Sequence, residues 1–155
     1  MAARRTDVAS RAIAAPPERL YRAFVDPTAL AAWLPPAGMR GRIERFDPRP
    51  GGGYRMTLTY VDPEHSTAGK TAEHEDVVEA RFAELVPDER IVQLVEFESD
   101  DPAFAGVMRM TWSLSPVPGG TEVTFLCEDV PPGISAEDHA EGLNASLENL
   151  AEFIE

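Results

Sequence analysis

Three histidines and an acidic run supply the side chains here that titrate or ligate near neutral pH. His65, His74 and His139, with Glu73, Glu75 and Asp76, are the donor types a divalent cation takes. Their spacing is not that of a metal site. No two histidines lie one helical turn apart, and Glu73-His74-Glu75-Asp76 reads as a solvated acidic loop at a strand entrance. Neither a metal nor a cofactor is expected. If the strand that follows keeps its alternation, His74 and Asp76 share a face with Val78, Ala80 and Phe82, and a carboxylate beside an imidazole favours the charged imidazole. Those two residues, together with Arg55, are the candidate polar groups for a cavity mouth and for any general acid-base chemistry there.

Other chemical signals are weaker. No Ser-His-Asp or Cys-His grouping is assignable by spacing, and the one cysteine, Cys127, precedes Glu128 and Asp129, which disfavour a thiolate. It reads as a small core hydrophobe. Gly69-Lys70-Thr71 has the ending of a phosphate-binding loop, yet Glu64 stands where the earlier glycine belongs, and an acidic stretch follows in place of an apolar helix. Gly51-Gly52-Gly53 lacks a strand-to-helix context and reads as turn geometry. Asn144-Ala145-Ser146 fits a glycosylation acceptor but falls inside a helical pattern.

The elements that must position these groups follow from periodicity. Val8 to Ala14 has a loose period of two and ends at Pro16-Pro17, where a ladder donor is lost. Leu20, Tyr21, Phe24 and Val25 then recur at helical spacing. Asp26-Pro27 restarts a helix as N-cap and first residue, with Leu30, Trp33 and Leu34 apolar before Pro35-Pro36. Six strands are expected next: Arg40 to Phe46, Tyr54 to Tyr60, His74 to Val86, Arg90 to Glu98, a strand carrying Met108, Met110, Trp112 and Leu114, and its return with Val123, Phe125 and Cys127. The turn segments Asp47 to Gly53, Pro87-Asp88-Glu89 and Pro118-Gly119-Gly120 separate them, so the six form an antiparallel meander. Ser135, with Asp138 near the capping-box position, opens a long helix whose apolar stripe is Ala140, Leu143, Leu147, Leu150, Ala151 and Ile154. That stripe needs an apolar partner, and the oily face of the meander is the one available.

The 155 residues carry 14 Lys+Arg against 27 Asp+Glu, a formal net charge of -13. Such a balance repels phosphate backbones and anionic membranes, so neither nucleic acid nor membrane is an expected partner. No apolar run approaches the roughly 20 residues that span a bilayer, and the basic start Met1 to Arg5 has no hydrophobic segment behind it. A single cytoplasmic domain over 1–155 is expected.

The order strand, two short helices, six strands and long helix resembles the START-like or SRPBCC superfamily, the Bet v 1-like helix-grip proteins. The wording of Ala15 to Phe24, Asp26-Pro27 through Pro36, Asp47 to Gly52, Glu84 to Ile91 and Gly120 to Val123 is similar to its branch related to activators of the heat-shock protein 90 ATPase. The resemblance implies an α+β helix-grip fold: a curved antiparallel sheet wrapped round the C-terminal helix. In that branch a His often stands where this chain has Cys127, and a Gly-Trp pair where it has Gly142-Leu143. The superfamily spans lipid carriers, receptors, cyclases and chaperone cofactors, so the fold implies a cavity and leaves the role open.

Read with that fold, Tyr54, Met56, Val78, Phe82 and Gln93 are expected to line a cavity from one half of the sheet, and Met110, Trp112 and Phe125 from the other. Leu143 and Leu147 close it from the helix. Met suits a surface that adapts to different apolar shapes, and Gln93 is the polar residue expected to orient a ligand. The first reading is binding of a small, mostly apolar molecule without turnover. A co-chaperone acting on a heat-shock protein 90 ATPase is the alternative, and a cyclase or hydrolase using His74, Asp76 or Arg55 is the second.

Overall fold

The computed structural model describes residues 5–35, 39–60, 75–99 and 102–155. Strand β1 (Arg5–Ile13) is followed by helices α1 (Pro17–Phe24) and α2 (Pro27–Trp33). Strands β2 (Met39–Glu44), β3 (Gly53–Tyr60), β4 (Glu75–Val86), β5 (Arg90–Phe97), β6 (Met108–Val117) and β7 (Gly120–Val130) come next, with a short 3-10 turn at Pro102–Phe104 before β6. Helix α3 (Ala136–Ile154) ends the chain. The expected α+β helix-grip architecture is what the chain adopts. The Gly69-Lys70-Thr71 segment, His65, Glu73 and His74 lie outside the described residues.

Local chemistry sets the boundaries. Pro17 occupies the first position of α1, where its missing N–H costs nothing. Asp26 caps α2 by accepting from the Thr28 and Ala29 amides. Ser135 caps α3 through the Asp138 amide at 3.1 Å. In the turn before β3, Gly51 has φ 86, a left-handed conformation that favours glycine. Gly53 is packed so closely that an added Cβ would meet the Ala80 carbonyl at 2.0 Å.

The seven strands form one antiparallel sheet in the order β1-β7-β6-β5-β4-β3-β2. Strands β2 to β7 are the expected meander. β1 adds to the far side of β7, with Ala9 opposite Phe125. Register puts Tyr54 opposite Ala80, Phe82 opposite Gln93, Gln93 opposite Met110 and Trp112 opposite Phe125, so these share the concave face. A register shift between Phe82 and Glu84 marks a bulge in β4, the kind of irregularity that bends a strand and helps a sheet curl.

The helices cover the concave face unevenly. α3 makes its closest backbone approaches to β1 and α2, and α2 also meets β2. Ser146 Oγ donates to the Leu34 carbonyl at 2.6 Å, and Asn149 Nδ2 donates to the Pro35 carbonyl at 2.9 Å, tying α3 to the end of α2. Phe24 and Trp33 from the short helices pack against Trp112 and Phe125 from the sheet, with centroid separations of 5.2 to 6.0 Å. Trp33 Nε1 donates to the Ala23 carbonyl at 3.0 Å, so this aromatic plug carries its polar atom satisfied. Among the described residues, no helix is long and apolar enough to cross a membrane.

Candidate functional site

Because α3 leans on β1 and α2, its N-terminal half stands away from the middle of the sheet. A cavity of about 470 Å³ lies there. Met56 and Leu58 of β3, Val78 of β4, Val95 of β5 and Met108 and Met110 of β6 form its sheet side, and Leu143 and Ser146 face them from α3. Trp112 and Tyr54, both buried, also line it. The exposed residues Gly133, Ser135 and Asp138, with half-buried His139, form its rim at the start of α3.

Six of the ten expected lining residues contribute to that wall: Tyr54, Met56, Val78, Met110, Trp112 and Leu143. The other four lie outside it. Phe125 joins the aromatic plug with Trp33 and Trp112, and Phe82 packs edge-on against Phe46 and beside Tyr54. Leu147 is fully buried one turn further along α3 than Leu143. Gln93 is wholly buried, and its Oε1 accepts from the Tyr54 hydroxyl at 2.8 Å. Periodicity could assign Phe82, Gln93 and Phe125 to the concave face and Leu147 to the apolar stripe of α3, but could not tell which parts of that face the short helices cover.

The expected mouth residues separate. Asp76 is buried and lines the cavity. Arg55 does not line it: it alternates with Tyr54 and Met56, so it points from the convex face, where Glu79 holds it at 3.0 Å and Glu98 at 2.7 Å. Strand alternation alone carries that correction to its expected place.

A polar group at the rim has no counterpart in the expected mouth. His139 Nδ1 donates to Asp7 Oδ2 at 2.6 Å, joining α3 to β1 across 132 residues of chain. Arg5 grips the same carboxylate at 2.8 and 2.9 Å and donates to the Ile134 carbonyl at 2.6 Å. The Arg5 guanidinium, more than the imidazole, holds the Asp7 carboxyl below its ordinary 3.8. By sequence His139 is only a metal-ligand type, and no spacing rule connects it to Asp7. Among the described residues, no group of three His, Cys, Asp or Glu is placed to hold a metal ion.

Burial pushes two other groups toward their neutral forms. The Tyr54 phenol is raised by burial and stays protonated, as its donation to Gln93 requires. The Cys127 thiol is pushed up to about 12 by burial, with the nearby Asp7 charge adding to the effect. It packs in the core, as expected.

The arrangement offers an apolar chamber with adaptable Met walls, a buried polar spot around Tyr54 and Gln93, and an ionic tie at the rim. A family model described as Activator of Hsp90 ATPase homolog 1-like protein matches residues 14–155. Among solved structures, a protein from Chromobacterium violaceum is 36% identical with a TM-score of 0.83, the match covering 96% of each chain. A protein from Mycobacterium smegmatis at 18% identity and TM-score 0.74 covers 97% of this chain and 90% of its own. One from Mesorhizobium loti at 22% identity and TM-score 0.70 covers 96% of each; these two share the fold. No curated protein matches. With the family model spanning nearly all of its length and the helix-grip fold beneath it, this chain belongs to the Activator of Hsp90 ATPase homolog 1-like family of the SRPBCC superfamily.

Proposed function

We propose that this chain, as a single domain over 1–155, binds a small, mostly apolar molecule between its curved sheet and the first half of α3. The observation that carries the reading is the cavity of about 470 Å³. Its size falls in the range of about 300 to 1,000 Å³ usual for small-molecule sites. Its walls include four methionines, Met39, Met56, Met108 and Met110, which repack around different shapes at little cost. Burying about 200 Å² of apolar ligand surface contributes roughly 5 kcal/mol before association costs, enough for binding without turnover. The single cysteine, held as a free buried thiol, suits a reducing compartment and supports a cytoplasmic setting.

The test is titration with a fluorescent medium-chain fatty probe, alongside native mass spectrometry of the purified protein. A saturable signal is expected. Val78→Phe, which pushes a ring into the chamber, displaces roughly two methylenes of contact at about 0.8 kcal/mol each, so the probe should bind about tenfold more weakly. No saturable signal and no retained species would remove the carrier reading.

The family description favours a second reading, a cofactor of the heat-shock protein 90 ATPase. The net charge of -13 supports contact with a basic partner surface and a salt-sensitive association. An unchanged ATPase rate of purified heat-shock protein 90 at saturating amounts of this chain would rule it out.

A further inference from the structure

Gln93 Nε2 and Trp112 Nε1 are buried donors with no hydrogen-bond partner among the described residues. Natural interiors rarely leave such groups unpaired, and here two occur together. Ile91 pairs with Trp112 and Gln93 with Met110, so Gln93 and Trp112 are diagonal neighbours on the concave face. Diagonal positions lie about 7–8 Å apart, within joint reach of one small group between their long side chains. Trp112 itself lines the cavity, and so do Tyr54, bonded to Gln93, and Met110, opposite it.

The Gln93 amide turns its oxygen toward Tyr54. The Tyr54 hydroxyl donates to Gln93 Oε1, which leaves Nε2 as a buried donor with no acceptor among the described residues, next to the lining residues Tyr54 and Met110. Both free groups at this spot therefore offer N–H. No Lys or Arg is among the described residues that line the cavity, whereas Asp76 is. Among these described residues a deeply buried anion would find no Lys or Arg to offset its desolvation.

We propose that the molecule held in this cavity carries an uncharged carbonyl at its buried end, whose oxygen accepts from Trp112 Nε1 and Gln93 Nε2 while its apolar remainder lies along the methionines. A carbonyl oxygen has two lone pairs, one for each donor. The ligand class is thus a ketone, ester or amide on an apolar body, in place of a pure hydrocarbon or a fatty carboxylate. This inference rests on the cavity-binding reading and narrows it.

The experiment compares butyrophenone with n-butylbenzene, probes that differ by the carbonyl, using full-length protein labelled with 15N. Trp33 is an internal control, since its Nε1 already donates to the Ala23 carbonyl. Butyrophenone should move the Trp112 indole N–H resonance downfield and leave that of Trp33 in place, and n-butylbenzene should not produce the downfield shift. In the double variant Gln93→Met with Tyr54→Phe, which removes the donor without stranding the hydroxyl, the preference for ketone over hydrocarbon should fall about tenfold relative to wild type. Equal displacement of the fluorescent probe in both proteins, with no selective Trp112 shift, overturns the carbonyl inference and leaves the cavity reading standing. Failure of both probes to bind overturns the two together.

Discussion

The two ends of the concave face share a sheet, a register and an apolar composition, yet one is solid and the other hollow. At the solid end, α1 and α2 deliver Phe24 and Trp33 onto Trp112 and Phe125, and those four rings interlock. At the hollow end, the first half of α3, with Leu34 and Phe104 at the edges, stands opposite Met56, Val78 and Met110 among the described residues. What separates them is helix coverage: two short helices bring ring-bearing side chains into contact, whereas a rod leaning on β1 and α2 leaves a gap that Met and Val do not fill. A curled sheet and a straight helix cannot stay parallel over their whole length, so the stand-off has a geometric origin.

The sharpest way to break that contrast is to probe Cys127, which is fully buried and absent from the cavity wall. With its thiol at about 12 against an ordinary 9.0, the thiolate fraction near neutral pH falls roughly a thousandfold, before any steric protection. Labelling by a disulfide reagent should therefore be more than about a thousandfold slower in the native protein than in urea. Rapid native labelling would mean that the packed region opens.

Paired truncations measure the contrast in energy. Trp33→Ala should cost about 4 kcal/mol in denaturant unfolding, because it empties the aromatic plug and strands the Ala23 carbonyl. Met110→Ala should cost about 1 kcal/mol, below the about 2–5 of a well-packed Met, since one side of Met110 already faces the chamber. Comparable losses at the two positions would show that the hollow end is packed as tightly as the plug.

The smallest effect concerns the rim, where β1 and α3 are joined. Arg5 and His139 favour the charged form of Asp7, so its folded-state pKa lies below its unfolded one. The stability this contributes is fully present above the ordinary 3.8 and is lost as pH falls through the lower folded-state value. Asp7→Asn should flatten the acid side of the stability curve by about 1 kcal/mol or less, given the partial exposure of the pair, in urea midpoints compared between about pH 5 and about pH 2.5. An unchanged acid limb would mean that the rim tie contributes nothing to closing the fold.

Much of the architecture is written in local chemistry. The alternation of Tyr54, Met56 and Leu58, and of Met108, Met110 and Trp112, assigns a face to each strand. Pro17, Asp26 and Ser135 mark helix starts wherever the chain goes next. Gln93 is recognisable as a polar residue on an oily face, and the structure supplies the partner that a buried amide needs, the Tyr54 hydroxyl. Arg55 stands between Tyr54 and Met56 on β3, so the strand's period of two already places it on the outer face and away from the mouth. The membership of Phe82, Phe125 and Leu147 in packed layers was not readable, because a residue's face says nothing about what covers it.

Sequence by itself determined the order of elements, the antiparallel meander and the side of each strand that turns inward, because these depend on neighbours within a few residues and on short turns. Tertiary structure alone decided that β1 pairs with β7, that α3 leans on β1 and α2 instead of filling the curl, and that Asp7 meets His139 across 132 residues. Those outcomes depend on how rigid layers of fixed curvature fit against one another, and no local pattern encodes that fit.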